Sequence, residues 1–245
     1  MLHMREARST DIKKILATAH AGCMNTKSDS LDSVYAGVAA GADVIEVDVR
    51  FMEKQIPVLS HNAFRQERIK ELVRLEEVLQ VLKACPGVAL NLDMKEIDGI
   101  PFLVELLHKT EIYERAFFTG LTSDAVMAAG QGRLSIPYFL NYQPDLWKIN
   151  DGGYLKELTC MTKGLGAIGI NLYYEFATQK LVRVFHQEKL KVFVWTVDNA
   201  EDMGRMIRMG IDSITSNRVD CLIKKIKEAE RCFAEGATSS EIDQF

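Results

Sequence analysis

The feature that most constrains this chain is an alternation carried through nearly its whole length. Short apolar runs rich in β-branched residues are each followed by a longer segment of helical period. Runs at Ile15–Gly22, Val44–Val49, Val88–Lys95, Ala116–Gly120, Leu134–Asn141, Ala167–Leu172, Lys191–Val197 and Ser213–Asn217 read as eight strands. Between them, the apolar stripe Leu31–Val34–Tyr35–Val38 stops at Gly41, and Leu75–Val78–Leu79–Leu82 stops near Pro86-Gly87. A parallel neighbour can be reached only by a crossover of a dozen or more residues, so strand and helix in strict turn imply a parallel sheet. Eight such units in 245 residues fit a closed (β/α)8 TIM barrel, which typically takes about 250. An open doubly wound sheet is the competing architecture. It usually has fewer strands and a glycine-rich first turn, and no Gly-x-Gly-x-x-Gly follows the first strand here. The expectation is one barrel domain over residues 1–235, with the polar end at 236–245 frayed.

One segment breaks the alternation. After Val44–Val49 comes a second strand-like run, Ile56–His61, with too little chain between for a helix. It must turn back as an antiparallel hairpin extension after strand two. A turn at Lys54-Gln55 would set Asp48 across from His61.

Charge and cysteine usage narrow the function classes. A net charge of −4 supplies no positive field for polyanions, so neither nucleic acid nor an anionic membrane surface is expected as a partner. A small anionic substrate remains compatible if a metal supplies local positive charge. The five cysteines, Cys23, Cys85, Cys160, Cys221 and Cys232, are scattered without metal-ligand spacing, which reads as reduced thiols in the cytoplasm. The stretch MLHMREARSTDIKKIL lacks the apolar run of a signal peptide, and no segment has the length of a membrane span. The sequence leaves the oligomeric state open.

The chemistry gathers at strand ends, where barrels carry their catalytic groups. Strand one ends in His20, strand two carries Glu46 and Asp48, the hairpin ends at His61, and strand three carries Asp93 and Lys95. Successive side chains of a strand alternate faces. Ile45, Val47 and Val49 therefore turn towards the helices while Glu46 and Asp48 enter the barrel; Leu90, Leu92 and Met94 likewise oppose Asn91, Asp93 and Lys95. Three carboxylates converging on one mouth are costly unless neutralised. Pairing with Lys95 would suffice for an isolated Glu-x-Asp; three acids beside two histidines point to a hard divalent cation, Mg²⁺ or Ca²⁺, held by Glu46, Asp48 and Asp93. Two histidines beside such an ion suit general acid–base work. His3, His108 and His186 lie away from strand ends and read as structural, and Cys23 reads as packing.

These stretches resemble the glycerophosphodiester phosphodiesterase family, whose members carry His-Arg-Gly, Glu-Asn-Thr-Leu, Gly-Ala-Asp…Ile-Glu-x-Asp-Val, His-Asp and Glu-x-Lys in this order. The corresponding segments are His20-Ala21-Gly22, Ser28-Asp29-Ser30-Leu31, Gly41 to Val49, His61-Asn62 and Asp93-Met94-Lys95. RLEEVL and VFVWTVDNAEDMGRMIRMGIDSITSN extend the similarity. The resemblance implies metal-dependent hydrolysis of a small-molecule glycerophosphodiester to glycerol phosphate and an alcohol. It implies His20 and His61 as the acid–base pair, Glu46, Asp48 and Asp93 as metal ligands, and Lys95 and Trp195 as substrate contacts. Ala21 stands where the family has a phosphate-binding arginine, Asn62 where it has aspartate, and Asp93 where it has glutamate. Loss of the arginine's donors implies the alternative of a catalytically impaired member that binds metal and phosphodiester.

Overall fold

The computed structural model describes residues 14–130 and 134–234; the polar end at 236–245 and most of the N-terminal stretch lie outside them. Among these residues nine strands form, separated by helices except between the second and third: β1 (Leu16–Ala19), β2 (Val44–Met52), β3 (Ile56–Leu59), β4 (Ala89–Met94), β5 (Ala116–Leu121), β6 (Tyr138–Asn141), β7 (Gly169–Tyr173), β8 (Lys191–Trp195) and β9 (Ser213–Ser216). The principal helices are α1 (Leu31–Ala40), α2 (Leu75–Lys83), α3 (Ile100–Lys109), α4 (Ser123–Ala129), α5 (Gly152–Gly164), α6 (Gln179–Gln187), α7 (Ala200–Met209) and α8 (Val219–Ala234).

Eight strands are parallel and close on themselves: β9 pairs with β1, and β1 pairs with β2. This is the (β/α)8 barrel, with β3 the extra antiparallel strand along the outer half of β2. Helix starts follow local chemistry. Ser30 Oγ accepts from the Ser33 N–H at the head of α1, and Glu77 reaches back to the Arg74 N–H at the head of α2. Along α2, Leu75, Val78, Leu79 and Leu82 are buried against the barrel's outer wall, as their spacing requires.

Two sequence expectations shift. The run from Leu134 is strand only over Tyr138–Asn141, because Pro137 has no N–H for the ladder. In the hairpin, Glu53 and Lys54 both take positive φ and Gln55 N–H closes the turn on Met52 O at 3.0 Å. That centre lies one residue before Lys54-Gln55, so every pair slips by one: Val49 faces Leu59, and Ser60 N–H, not His61, meets the Asp48 carbonyl.

The barrel interior has tiers. At its base Phe139 and Phe193 stack at 3.8 Å between centroids, and Phe117 meets both edge-on at 5.5 and 5.6 Å. β7 can pass this plug only as glycine: a Cβ on Gly169 would lie 2.2 Å from Lys191 O and 2.9 Å from Phe139. The next inward positions after Phe117 and Phe139 are Thr119 and Asn141, which line one cavity with Asn91, Asn171, Thr215 and the charged groups. Outside, Ile45, Val47, Val49, Leu90, Leu92 and Met94 pack in the layer under the helices, as alternation requires. Among the described residues no helix is long and apolar enough to cross a membrane.

Candidate active site

All seven residues singled out from sequence line one cavity of ≈ 320 Å³ at the barrel mouth: His20, Glu46, Asp48, His61, Asp93, Lys95 and Trp195. The size is that of a small-ligand site. One ligand oxygen each from Glu46, Asp48 and Asp93 lies within 4.8 Å of the other two. The strand register brings this about, since β2 and β4 pair with Asp48 beside Asp93 and Glu46 beside Asn91.

Lys95 Nζ bridges the acids, 2.7 Å from Asp48 and 2.5 Å from Asp93. Three carboxylates against one ammonium leave the cluster short of positive charge. Burial, reinforced by Asp48 and Asp93, pushes the Glu46 carboxyl well above the usual carboxylate range, although the Ala21 N–H donates to it at 2.7 Å. Burial also lifts Asp93, and Lys95 only partly offsets it. Lys95 is itself penalised by burial, yet the adjoining Asp93 and Asp48 more than compensate and hold its ammonium charged. Oxygen donors with unmet negative charge at this spacing fit a hard divalent cation.

The two histidines line the same cavity with different partners. His20 follows β1, and its Nδ1 lies 3.0 Å from Asn217 Oδ1. His61 follows β3, its ring largely exposed, with Nδ1 3.2 Å from Asp48 Oδ2. Its backbone is pinned on both sides: the N–H donates to Asp29 at 3.1 Å, and the carbonyl accepts from Arg50 at 3.3 Å. Arg50 is in turn paired with Glu96. Trp195, partly exposed, also lines the cavity, edge-on to Tyr173 at 5.7 Å.

Ala21 does not line this cavity. It borders a smaller space with Asp29, Ser30, Ser33 and Glu46. Cys23 is fully buried with Sγ 3.5 Å from Ser33 O, and burial pushes its thiol up, which agrees with packing. His108 stacks on Tyr113 and His186 meets Asp212, both away from the mouth.

Sequence reasoning missed the polar floor. Thr119 donates to Asn91 at 2.8 Å and to Asp93 at 3.2 Å, and Asn171 Nδ2 donates to Asn141 at 3.0 Å. Asn141 also takes the Gly120 N–H at 2.9 Å; Gly120 has positive φ, and a Cβ there would lie 2.3 Å from Asp93 Oδ1. An inward polar residue in an otherwise apolar strand, as in Tyr138-Phe139-Leu140-Asn141 and Gly169-Ile170-Asn171, is the signal that could have revealed this tier.

A parallel barrel with acids, histidines and a lysine at its mouth belongs to a recognisable class, and comparison with known proteins specifies which. The model of the glycerophosphoryl diester phosphodiesterase family matches residues 64–221. The chain belongs to that family, a class of phosphoric diester hydrolases. The matched segment begins after His61, so Asp93, Lys95 and Trp195 fall inside it while His20, Glu46, Asp48 and His61 precede it.

Two curated relatives bracket the similarity. Glycerophosphodiester phosphodiesterase GDPD4 of Arabidopsis thaliana is 35% identical over 52 residues, which is 21% of this chain and 16% of that protein. A probable glycerophosphodiester phosphodiesterase 2 of Mycobacterium tuberculosis is 22% identical over 242 residues, covering 84% of this chain and 89% of the relative. Among solved structures, a glycerophosphoryl diester phosphodiesterase from Silicibacter pomeroyi superposes with TM-score 0.74 at 17% identity, covering 88% of this chain and 94% of its own. An Oleispira antarctica phosphodiesterase, solved with the product sn-glycerol-3-phosphate, gives 0.71 at 17% identity over 86% and 96%.

Proposed function

We propose that this protein hydrolyses glycerophosphodiesters to glycerol phosphate and an alcohol, with a divalent cation held by Glu46, Asp48 and Asp93 and with His20 and His61 as general acid and base. The observation that carries the reading is the convergence of both histidines, three carboxylates and Lys95 on a single cavity. The cation, Mg²⁺ or Ca²⁺, would polarise a phosphoryl oxygen and offset charge developing at phosphorus.

The chain's own residues supply the rest. One imidazole takes the proton of the incoming oxygen, and the other delivers a proton to the departing alcohol oxygen. The same pair serves whether the incoming oxygen belongs to water or to a neighbouring hydroxyl of the substrate. Lys95, held charged by Asp48 and Asp93, faces the phosphate. Trp195 offers an apolar face to the glycerol or alcohol part. The Ala21 side chain has no donor and lies towards Asp29 and Ser33, so among the described residues lining the cavity the cationic role falls to Lys95. The Oleispira antarctica phosphodiesterase, of the same fold, holds the product sn-glycerol-3-phosphate, which supports a glycerol phosphate product here. The five free cysteines support a cytoplasmic setting.

The test is release of glycerol phosphate from glycerophosphodiesters by the purified protein. Turnover abolished by EDTA and by His20→Ala supports the proposal. Tight binding of the diester without turnover, even at high protein concentration, would sink it in favour of an impaired, ligand-binding member of the family.

A further inference from the structure

His20 is tied into a chain of hydrogen bonds that leads away from the acid cluster. Its Nδ1 lies 3.0 Å from Oδ1 of Asn217, just past the end of β9. The Asn217 amide nitrogen lies 2.8 Å from Asp198 Oδ2, in the segment between β8 and α7. The other oxygen of Asp198 accepts from the Asn217 backbone N–H at 2.7 Å and from Ser216 Oγ at 3.0 Å.

Donor and acceptor rules leave one consistent assignment. An ionised carboxylate only accepts, so the Asn217 group beside Asp198 Oδ2 must be its NH₂. The amide oxygen therefore faces His20, and an oxygen requires a donor opposite it. Nδ1 of His20 must carry the proton. In the neutral ring, Nε2 is then the lone-pair nitrogen, free of that bond and carried by a side chain that lines the cavity.

We infer that Asn217, locked by Asp198, is a positioning residue that holds neutral His20 in the Nδ1–H tautomer and so makes Nε2 the proton acceptor at the barrel mouth. Its catalytic consequence rests on the reading of His20 as one of the acid–base pair; the tautomer itself does not. The arrangement differs from that of His61, whose Nδ1 partner is a carboxylate of the acid cluster and not an amide. The segment carrying Asp198 also closes on β9, since Val197 N–H donates to Thr215 O at 2.9 Å, so one anchor orients both Asn217 and the final strand end.

The experiment reads the imidazole nitrogens of His20 by ¹⁵N NMR in the full chain, assigned by the signals lost in His20→Ala. Wild type should show a protonated Nδ1 and an unprotonated Nε2 in the neutral form. In Asn217→Ala the ring should lose this preference, and kcat should fall about 10–100-fold with a much smaller change in KM, the range typical of partners that orient a functional histidine. Asp198→Asn makes a sharper demand. Its new NH₂ repels the Asn217 NH₂, the amide of Asn217 must rotate, and His20 should move its proton to Nε2. The double variant Asp198→Asn with Asn217→Asp restores an acceptor opposite Nδ1 and should restore both tautomer and most of kcat. Because each variant keeps the backbone bonds of this corner, unchanged melting temperatures will separate these effects from loss of fold.

A wild-type ring protonated on Nε2, or a tautomer indifferent to both single variants, overturns the inference. So does unaltered kcat in Asn217→Ala when His20→Ala is inactive. If instead the tautomer follows Asn217 while His20→Ala turns over normally, the hydrogen-bond chain stands and the assignment of His20 as acid or base is what fails.

Discussion

The two ends of the barrel interior are built on opposite principles. The base is closed by Phe117, Phe139 and Phe193 in mutual contact, apolar area removed from water at no electrostatic cost. The mouth gathers Glu46 and Asp48 of β2 and Asp93 of β4 around one Lys95. The first arrangement stabilises the fold. The second is a liability in the folded chain unless a cation offsets its excess negative charge. The contrast shows how one barrel divides its labour: aromatic side chains close the base, and charged ones gather at the carboxyl ends of the strands, where barrels carry their sites.

The comparison breaks most visibly at the histidines. His20→Ala and His61→Ala should each lower turnover about 10²–10⁴-fold, while the melting temperature stays close to wild type, because neither ring belongs to the apolar core. Divalent-cation affinity of His61→Ala, measured by calorimetry, should be largely retained. Its loss would make His61 a support for Asp48 in place of an acid or base.

At the base the order of effects reverses. Phe139→Ala removes a fully buried ring from the stacked trio and should cost about 3–5 kcal/mol of stability by denaturant titration. Residual turnover at low temperature should remain near wild type. Gly169→Ala asks for a Cβ 2.2 Å from a backbone oxygen and should cost about 1–3 kcal/mol through overpacking. If either variant kept full stability but lost activity, the division between base and mouth would be wrong.

How far this was legible in sequence depends on the range of the interactions. The alternation of strands and helices is local, so the closed barrel follows from the chain, as does the inward direction of Glu46, Asp48 and Asp93. The hairpin register was misjudged because it turns on whether Glu53 or Lys54 opens the turn, and neither is a residue type that announces positive φ. His61 nevertheless reaches Asp48: it lies beyond the end of β3, where its position is set by Asp29 and Arg50 and no longer by strand pairing. The bonds among Asn91, Thr119, Asn141 and Asn171 link four different strands, and the Asp198–Asn217–His20 chain joins segments 178 residues apart (from His20 to Asp198). No spacing rule in the sequence relates such positions before the barrel closes.

The subtlest test concerns the unmet charge itself. Burial raises the Glu46 carboxyl well above its unfolded value, with the neighbouring Asp48 and Asp93 adding to the shift, and burial raises Asp93 as well. As pH rises past the ordinary carboxylate range of about 4, the unfolded chain gives up these protons before the folded chain does. The native state then binds more protons, and metal-free stability must fall with rising pH until the folded groups ionise. Lys95 does not enter this window, since its raised value moves its own contribution to the alkaline side. In EDTA, Glu46→Gln should therefore gain stability relative to wild type as pH is raised from 5 to 7.5. With saturating Mg²⁺ or Ca²⁺ the ranking should invert, because the ion stabilises the charged wild-type cluster and the amide gives up a ligand. A difference between the two proteins that is independent of pH and of cation would mean that the mouth is a neutralised ion-pair network, built for stability like the aromatic base beneath it.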